Sequence, residues 1–401
     1  MRFCFVFDGL GCGGIERVGV DYCNALVECG HEVTVVNLVP EADEFASQLF
    51  DKVIYKTRAF SRHLAPECYC TLVKRTAWGR FLYPVAYVFC SVAVAIMRPF
   101  LKRGFEAFDV AIAFSGHYND LTFVSFGCVN AKKKIAWLHG GLSGYGLTSD
   151  GYLNLYKHFD GLVTLCDDGI EEFEHTNWFL KFTFRKIYNP VNIKSADIYT
   201  DEIEKIRSEY GSFALMVARL DYPHKDPFTV IEAVKQINEK YGNGLNLVIV
   251  GDGPDRHKVE SFVAEREMGE RVFFTGYQSD PAPYYAASRL VVHASAGAEG
   301  LPTVMLEGMS FGRPIVATDV RTGPKEILGY NEFGLLCKAK DPDDMARQIA
   351  LLLDDDALYG HYARKAAERV RDFSEEKAID GLVGYATDLI NETQAVGGES
   401  R

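Results

Sequence analysis

Two glutamates flank the start of a predicted helix, a position where carboxylates accept hydrogen bonds from sugar hydroxyls. The helix opens at Leu301-Pro302 and closes at Phe311-Gly312, since proline suits a first turn and glycine ends helices. Glu299 precedes the helix, and Glu307 lies about a turn and a half inside it. Free N–H groups at the helix start favour a diphosphate. The stretch suits a sugar nucleotide, although a surface loop followed by a helix with one solvated glutamate has the same spacing.

Two cations enclose the loop that follows the predicted strand 213–218. Arg219 and Lys225 stand at the two ends of the sequence Leu-Asp-Tyr-Pro-His. Guanidinium and ammonium groups both donate hydrogen bonds to phosphate oxygens, so the pair is a candidate clamp for a diphosphate. Two solvated charges are the alternative.

A second candidate site lies in the glycine loop near the N-terminus. The strand Arg2 to Phe7 leads through Gly13-Gly14 into a helix over 15–29 and a strand over 33–38, which is a βαβ unit. A dinucleotide site is one interpretation, but the second strand ends at Asn37 and not at an acid that would hold a ribose. A tight turn that needs small residues is the structural alternative.

Two histidines follow strands of the predicted first sheet. His117 lies in the loop after the strand that begins at Asp109, and His139 follows the strand 134–138 beside two glycines. Ligand groups of doubly wound sheets collect at the carboxyl ends of parallel strands. A lone histidine is more often structural than catalytic, so the position of His139 beside glycines is what makes it the stronger candidate.

Glu299-Gly-Leu-Pro, followed by Glu307-Gly-Met-Ser-Phe-Gly-Arg-Pro-Ile-Val-Ala, resembles the two-glutamate motif of glycosyltransferase family 4, also described as glycosyl transferases group 1. The resemblance implies an α/β GT-B fold, in which two Rossmann-like domains with parallel sheets face a central cleft, and retaining transfer from a nucleotide sugar. Gly308 stands where the family usually has alanine. The resemblance is strongest from Lys186 to about Lys340, and the first half matches only in short pieces.

The resemblance also implies roles for single residues. His139 would contact the donor sugar near its reacting carbon, Arg219 and Lys225 would bind the diphosphate, and Gly13-Gly14 would lie near the donor phosphates and the acceptor. The candidate catalytic residues are Glu299, His139, Arg219 and Lys225. The candidate donor-binding residues are Gly13, Gly14, Arg219, Lys225, Gly276, Tyr277, Gly300, Leu301, Pro302, Thr303 and Glu307.

The expected organisation is an N-terminal acceptor-binding domain over 1–192 and a C-terminal nucleotide-sugar-binding domain over 193–374. A helix over 375–391 would pack back on the first domain, with a disordered tail from Thr393. The expected reaction moves a hexose or N-acetylhexosamine from a UDP-sugar to a saccharide or lipid-linked saccharide in cell-surface polysaccharide biosynthesis. No cofactor or metal is expected, because the sequence has no acidic cluster suited to a catalytic metal and the family uses cations on the leaving diphosphate.

Two functions of other classes stay open. The first is a nicotinamide-dependent oxidoreductase that uses the N-terminal glycine loop, against which the missing acid near Asn37 argues. The second is a membrane-bound, non-catalytic scaffold, against which the intact Glu299, Glu307, Arg219 and Lys225 argue.

Charge is distributed unevenly along the 401 residues. The net charge is -12, which argues against a nucleic-acid partner. The segment 51–107 contains ten Lys or Arg and three acids, a net +7, so the rest of the chain carries -19. Within it, Phe81 to Met97 is an uncharged run of 17 residues, short for a membrane span of about 20. The segment indicates either a plain core helix or an interfacial one, and we expect a cytoplasmic protein on the inner, anionic membrane face.

Overall fold

The computed structural model describes residues 1–11, 13–70, 72–73, 77–140, 155–176, 183–191, 199–242, 244–297 and 299–398. Residue contacts divide the chain into two units, 1–190 with 375–401 and 191–374. The division falls two residues from the expected boundary after residue 192. Both units are α/β and each is built on one parallel sheet, which confirms the predicted fold class.

Seven parallel strands form the sheet of the first unit over the residues that the structure describes. They are β1 (Arg2–Phe7), β2 (Glu32–Asn37), β3 (Ile54–Thr57), β4 (Phe108–Ala113), β5 (Ala131–Leu138), β6 (Gly161–Thr164) and β7 (Thr183–Lys186). Their order in the sheet is β3-β2-β1-β4-β5-β6-β7. The order reverses between β1 and β4, and such a switch point opens a crevice at the carboxyl ends of the strands.

Four helices among the described residues of the first unit precede the second unit in the chain. They are α1 (Gly14–Glu28), α2 (Gly79–Leu101), α3 (Tyr118–Ser125) and α4 (Asp167–Thr176). Short 3-10 turns at Arg62–Leu64 and Pro66–Tyr69 pack on α2. Helix α1 lies close on the sheet because Gly19 has no side chain: a Cβ there would lie 2.3 Å from the Phe7 ring.

In its described part, the second unit contains six parallel strands and eight helices. The strands are β8 (Phe213–Val217), β9 (Asn246–Val250), β10 (Val272–Gly276), β11 (Leu290–His293), β12 (Ile315–Asp319) and β13 (Leu335–Lys338), in the order β10-β9-β8-β11-β12-β13. The helices are α5 (Thr200–Tyr210), α6 (Pro227–Gln236), α7 (Arg256–Glu265), α8 (Ala282–Ala287), α9 (Thr303–Ser310), α10 (Gly323–Leu328), α11 (Pro342–Asp354) and α12 (Asp356–Arg369). Buried aliphatic side chains fill the space between sheet and helices.

The last helix, α13 (Glu375–Gly398), belongs to the first unit. The Tyr385 hydroxyl accepts a hydrogen bond of 3.0 Å from the backbone N–H of Leu162 on β6, which fixes the helix on the first sheet. The sequence predicted that this helix ends at 391 and that the tail from Thr393 is disordered. The helix instead continues to Gly398 and includes the glycine pair, because the glutamate, glutamine and alanine that precede the pair favour helix.

Helix α2 differs from the other long helices in its exposure. Of the described helices, α2 is the one that is long and apolar enough to cross a membrane. Its most apolar 18-residue stretch has a mean hydropathy of 1.7, and only 11% of that stretch is buried. The alternative of a plain core helix is therefore wrong. The sequence of an uncharged run does not show whether the helix is buried or exposed, since its hydrophobicity is the same in both cases.

Candidate active site

The carboxyl ends of two adjacent strands bring Lys225 and Glu299 into contact. Lys225 lies in the loop after β8 and Glu299 in the loop after β11, and these strands pair in the sheet. Lys225 Nζ donates a short hydrogen bond to Glu299 Oε1. The side chains are only 20% and 12% exposed, so the pair is shielded from water. The two residues were predicted as a phosphate clamp and a sugar ligand, and the structure makes them partners.

Two further side chains complete the surroundings of the Glu299 carboxylate. The Ser295 hydroxyl donates a short hydrogen bond to Glu299 Oε1, and His293 Nε2 lies 3.5 Å from the same oxygen. The Thr322 hydroxyl donates a hydrogen bond to the backbone carbonyl oxygen of Glu299, which anchors the loop that contains Glu299. Sequence reasoning missed His293 and Ser295, although both stand at the carboxyl end of β11 within six positions of Glu299.

Electrostatics keep Glu299 ionised. Burial alone would raise the pKa of this carboxyl, but His293 and the Lys225 ammonium group outweigh burial and lower the pKa to about 2. Burial, and then the Lys225 charge, lower the pKa of His293, while Glu299 opposes them. At neutral pH the site therefore holds a lysine–glutamate ion pair beside a neutral imidazole.

Helix α9 begins directly after the Glu299 loop. Leu301 and Pro302 are buried, Pro302 occupies the N-cap position, and Thr303 is the first helical residue. A proline has no side-chain acceptor, so it leaves the first-turn N–H groups available to a ligand. Gly300 packs against the start of α10, where a Cβ on Gly323 would lie 1.9 Å from the Gly300 carbonyl oxygen.

Glu307 lies half-buried in the second turn of α9. The next residue, Gly308, faces the sheet, and a Cβ there would lie 2.9 Å from Val291 Cγ2 and 3.2 Å from Ile315 Cδ1. Glycine at position 308 therefore lets α9, which carries Glu307, lie close on β11 and β12.

Arg219 stands on the same loop as Lys225 and is exposed. The loop is anchored at Leu220, whose N–H donates a 3.0 Å hydrogen bond to the Asp252 carbonyl oxygen, and at Tyr222, whose N–H donates a 2.9 Å bond to Asp255 Oδ2. Asp252 and Asp255 both follow β9 in the chain. Arg219 is thus presented to solvent from a loop held on both sides.

Gly276 and Tyr277 lie farther from this pair along the sheet. Gly276 ends β10, which β9 separates from β8, and it adopts a left-handed φ of 72°. Its carbonyl oxygen accepts a 2.8 Å hydrogen bond from the Gly251 N–H. Tyr277 is 79% exposed. These two residues share the carboxyl edge with Lys225 and Glu299.

The first unit presents His139 at the end of β5. The residue is 7% exposed. Its ring stacks on Trp137 and meets Phe114 edge-on, and its Nε2 lies 2.6 Å from the Phe114 carbonyl oxygen. Burial lowers its pKa to about 4, with the Phe114 carbonyl opposing and His117 adding to the effect. Within the described part of the chain, which omits 141–154, Nδ1 has no hydrogen-bond partner. A neutral imidazole therefore lies at the carboxyl edge of the sheet, with this nitrogen buried.

A second histidine at this edge is paired with an acid. His117 Nδ1 lies 3.2 Å from Asp8 Oδ2, and Asn119 Nδ2 donates to Asp8 Oδ1 at 2.5 Å. The bond to Asp8 raises the pKa of His117 against the effect of burial. Buried Asp120 accepts backbone N–H groups from 116 and 117, and burial raises its pKa to about 7. Sequence reasoning missed Asp8, whose place directly after β1 was the available signal.

The N-terminal glycines form the start of α1, with Gly13 as the N-cap and Gly14 as the first helical residue. The position at the end of β2 that would hold a ribose is occupied by Asn37. Its amide donates hydrogen bonds of 2.9 Å to the Ala42 carbonyl oxygen and 3.0 Å to the Tyr55 hydroxyl. Because these bonds engage Asn37 within its own unit, the geometry does not favour a nicotinamide site.

Among the described residues no group of three or more His, Cys, Asp or Glu side chains is placed to hold a metal ion. In the second unit, Lys225 and Glu299 touch, Arg219 shares the Lys225 loop, and α9 begins beside them. In the first unit, Gly13 and His139 follow β1 and β5 at the same edge. The second unit can thus hold an anion and hydroxyl groups, and the first can offer imidazole and carboxylate groups to a ligand.

Comparison with known proteins agrees with this geometry. Residues 200–370 match the family "Glycosyl transferases group 1". An uncharacterized glycosyltransferase of Haemophilus influenzae is 26% identical, with 95% of this chain and 98% of the relative covered. A Campylobacter jejuni GalNAc-alpha-(1->4)-GalNAc-alpha-(1->3)-diNAcBac-PP-undecaprenol alpha-1,4-N-acetyl-D-galactosaminyltransferase is 24% identical over 93% of this chain and 94% of its own.

Solved structures show the same fold. Anabaena Alr3699/HepE in complex with UDP superposes with a TM-score of 0.74 at 17% identity, covering 97% of this chain and 100% of that one. The S. aureus TarM structure superposes with a TM-score of 0.69 at 14% identity, covering 97% and 98%. Residues 200–370 thus match the glycosyl transferases group 1 family, and the chain is a glycosyltransferase with the GT-B fold.

Proposed function

We propose that the protein transfers a hexose or N-acetylhexosamine from a UDP-sugar, with retention of anomeric configuration and without a metal. The observation that carries the proposal is the shielded Lys225–Glu299 pair beside the uncapped start of α9. A diphosphate fits beside Lys225, Arg219 and the N–H groups of Gly300, Leu301 and Thr303, since cations and a helix start both attract phosphate. UDP in the Alr3699/HepE complex supports uridine as the nucleotide.

The proposed chemistry depends on charge at the leaving group. As the bond from the anomeric carbon to the diphosphate breaks, negative charge grows on the phosphate oxygens, and Arg219 and Lys225 stabilise it. The leaving phosphate helps deprotonate the acceptor hydroxyl on the same face of the sugar. Ionised Glu299 accepts hydrogen bonds from sugar hydroxyls, Glu307 binds the ribose, and neutral His139 offers a nitrogen to the sugar near its reacting carbon.

We further propose that the acceptor is a saccharide or lipid-linked saccharide in cell-surface polysaccharide synthesis, met by the 1–192 domain at the cytoplasmic membrane face. The names of two Campylobacter jejuni relatives specify undecaprenol-linked acceptors. The positive segment 51–107 in an otherwise acidic chain supports contact with an anionic membrane.

A donor screen tests the proposal. Thermal shifts are measured with UDP, GDP and ADP, then with UDP-glucose, UDP-galactose and their N-acetylated forms, each with and without EDTA. We expect stabilisation by UDP that EDTA leaves unchanged. Transfer from the best donor is then followed by NMR of the product anomer. Stabilisation by GDP or ADP alone excludes a uridine donor, loss with EDTA excludes metal independence, and an inverted anomer excludes retention.

A further inference from the structure

The exposed side of α2 is a continuous apolar stripe. Large apolar side chains recur every three or four positions along the whole helix, which places them on one face. They are Trp78, Phe81, Leu82, Val85, Val88, Phe89, Val92, Ile96 and Phe100, each between 51% and 75% exposed. Isolated exposed apolar residues are common, but a stripe of this length marks a surface that binds something.

The opposite side of α2 is fixed to the protein. Cys90, Val94 and Leu101 are buried, and Cys90 Sγ lies 3.4 Å from the His63 carbonyl oxygen in the preceding 3-10 turn. At the other end, Arg58 donates hydrogen bonds to the carbonyl oxygens of Leu101 and 103. The protein therefore holds the helix along its middle and at its C-terminal end, with the stripe facing away.

This attachment excludes a transmembrane orientation. The chain enters α2 after β3 and leaves it for β4, and both strands belong to one sheet. The turn that contains His63 touches the middle of the helix at Cys90. A spanning α2 would carry that turn into the hydrocarbon, where irregular backbone exposed to lipid is not tolerated.

Described cations flank α2 at both of its ends. Helix α2 contains no Asp or Glu, and Arg80 and Arg98, both exposed, bound its uncharged run. Arg103 follows the helix, and Lys56 and Arg58 lie at its C-terminal end through bonds to the carbonyl oxygens of 103 and 104. A second copy of α2 would bring only like charges against these cations. Anionic phospholipid headgroups supply the opposite charge.

We propose that α2 lies in the plane of an anionic phospholipid bilayer, with its apolar stripe inserted below the headgroups and Arg80, Arg98 and Arg103 bound to lipid phosphates. Apolar insertion, more than charge, then holds the protein on the membrane. The helix is about 34 Å long and binds a strip of the bilayer surface. The inference rests on the proposed lipid-linked acceptor for its purpose, and it names the element that brings the enzyme to that acceptor.

Vesicle co-sedimentation tests the stripe without requiring activity. The full chain is pelleted with vesicles of phosphatidylglycerol and phosphatidylethanolamine at low and high salt. We expect Phe89→Glu to weaken binding at least about tenfold at both salts, because a carboxylate opposes insertion. Leu351→Glu, on an exposed position of α11 in the second unit, is the matched control and should bind as the unaltered protein does. Equal binding of Phe89→Glu, or no binding by the unaltered chain, overturns the proposal.

The cations are tested by a paired variant. Arg98→Gln with Arg103→Gln should weaken binding to anionic vesicles by roughly tenfold to thirtyfold and leave binding to phosphatidylcholine vesicles unchanged. Arg271→Gln with Arg364→Gln removes the same charge from exposed positions of the second unit and should have no effect. An equal loss in both pairs shows an effect of net charge only and overturns the role of Arg98 and Arg103.

Tryptophan depth distinguishes a lipid surface from a span and from a second copy. Trp78 is compared with a tryptophan at mid-helix, in Phe89→Trp combined with Trp78→Phe, using lipids brominated near the headgroup or near the bilayer centre. In-plane binding places both within about 5–10 Å of the headgroup boundary, so shallow bromines quench both. Deep quenching of the mid-helix tryptophan alone indicates a span. A dimer in sedimentation velocity that Phe89→Glu dissolves, without lipid quenching, assigns the stripe to a second copy. Either result overturns the proposal.

Transfer to a water-soluble acceptor separates this inference from the proposed function. Phe89→Glu should retain that activity, since α2 contributes no residue to the candidate active site. If the enzyme is active but does not bind vesicles, only the membrane role of α2 is overturned. Vesicle-bound protein without transfer from any donor overturns only the proposed function.

Discussion

The Lys225 ammonium group and the Glu299 carboxylate are hydrogen-bonded to each other, 74 positions apart in the chain. A cation that was expected to bind only phosphate is therefore paired before any donor arrives. Because Glu299 lies between Lys225, Ser295 and His293, the pair is positioned and shielded. Lysine has three donors, so Lys225 can keep Glu299 and still donate to a diphosphate. The donor's phosphate and sugar would then be linked through one ion pair.

The first prediction concerns Arg219. Replacement with alanine should lower kcat/KM by roughly 10²–10³, because it removes one donor that stabilises the leaving diphosphate. Its exposure predicts an unchanged melting temperature. Arg271→Ala, which removes an exposed arginine just before β10 at the opposite edge of the sheet, is the control. Normal turnover by Arg219→Ala contradicts the clamp.

The second prediction concerns the coupling of Lys225 with Glu299. Lys225→Met and Glu299→Gln should each lower kcat/KM strongly, while the double variant should lose much less than the sum of the two losses in activation free energy. Each single change leaves a shielded polar group without its partner, and the double change removes both. A double-mutant cycle on kcat/KM measures the coupling. Additive losses would show that the two residues act independently.

The third prediction concerns acid stability. The folded-state pKa of Glu299 is about 2, against an ordinary value of 4.5. This depressed pKa stabilises the fold above pH 4.5, and the stabilisation is lost as the pH falls from 4.5 towards 2. Glu299→Gln should therefore lower the free energy of unfolding near neutral pH, on the order of 2–3 kcal/mol, with the difference vanishing near pH 2. Denaturant unfolding of both proteins from pH 2.5 to 7 measures it.

The sequence predicts the regular elements of this fold well, because their signals are local. The strand Arg2–Phe7 occurs as predicted, and helix α1 begins one residue from its predicted start. Each depends on a run of neighbouring residues and on glycines that permit a turn. Helix α6 ends at Gln236, and residues 237–241 continue it as a π-helical turn.

The candidate site was less predictable, because its contacts join residues distant in sequence. Motif spacing selected Glu299 and Lys225 separately, but no spacing rule pairs residues from different loops. In the sequence, His293 is only the last residue of a predicted strand. The fold is what places its Nε2 3.5 Å from Glu299 Oε1. Likewise, the uncharged run of α2 has no polar face to show its orientation. The predicted roles of the site residues stay predictions.

The fourth prediction separates Glu307 from Glu299. Glu307→Gln should weaken UDP binding and raise KM with little change in kcat, because a ribose contact is equal in the ground and transition states. Glu299→Gln should lower kcat more, since it lies near the sugar. Calorimetry with free UDP, together with steady-state kinetics, measures both. Unchanged UDP affinity in Glu307→Gln contradicts the ribose role.

The last prediction concerns the two histidines of the first unit. Burial holds the pKa of His139 near 4, whereas the bond to Asp8 raises the pKa of His117 above 6.5. His139 thus favours folding above pH 6.5, and this contribution is lost as the pH falls towards 4. His117 favours folding below pH 6.5, and this contribution is lost as the pH rises through its folded pKa. NMR of the imidazole protons from pH 4 to 8, assigned with His117→Gln and His139→Gln, should show His117 titrating well before His139 as the pH falls from 8. The pH–rate profile should then show no step from His139 between pH 5 and 8, because it stays neutral there. A His139 resonance that titrates near pH 6.5 contradicts the proposed neutral imidazole at the donor sugar.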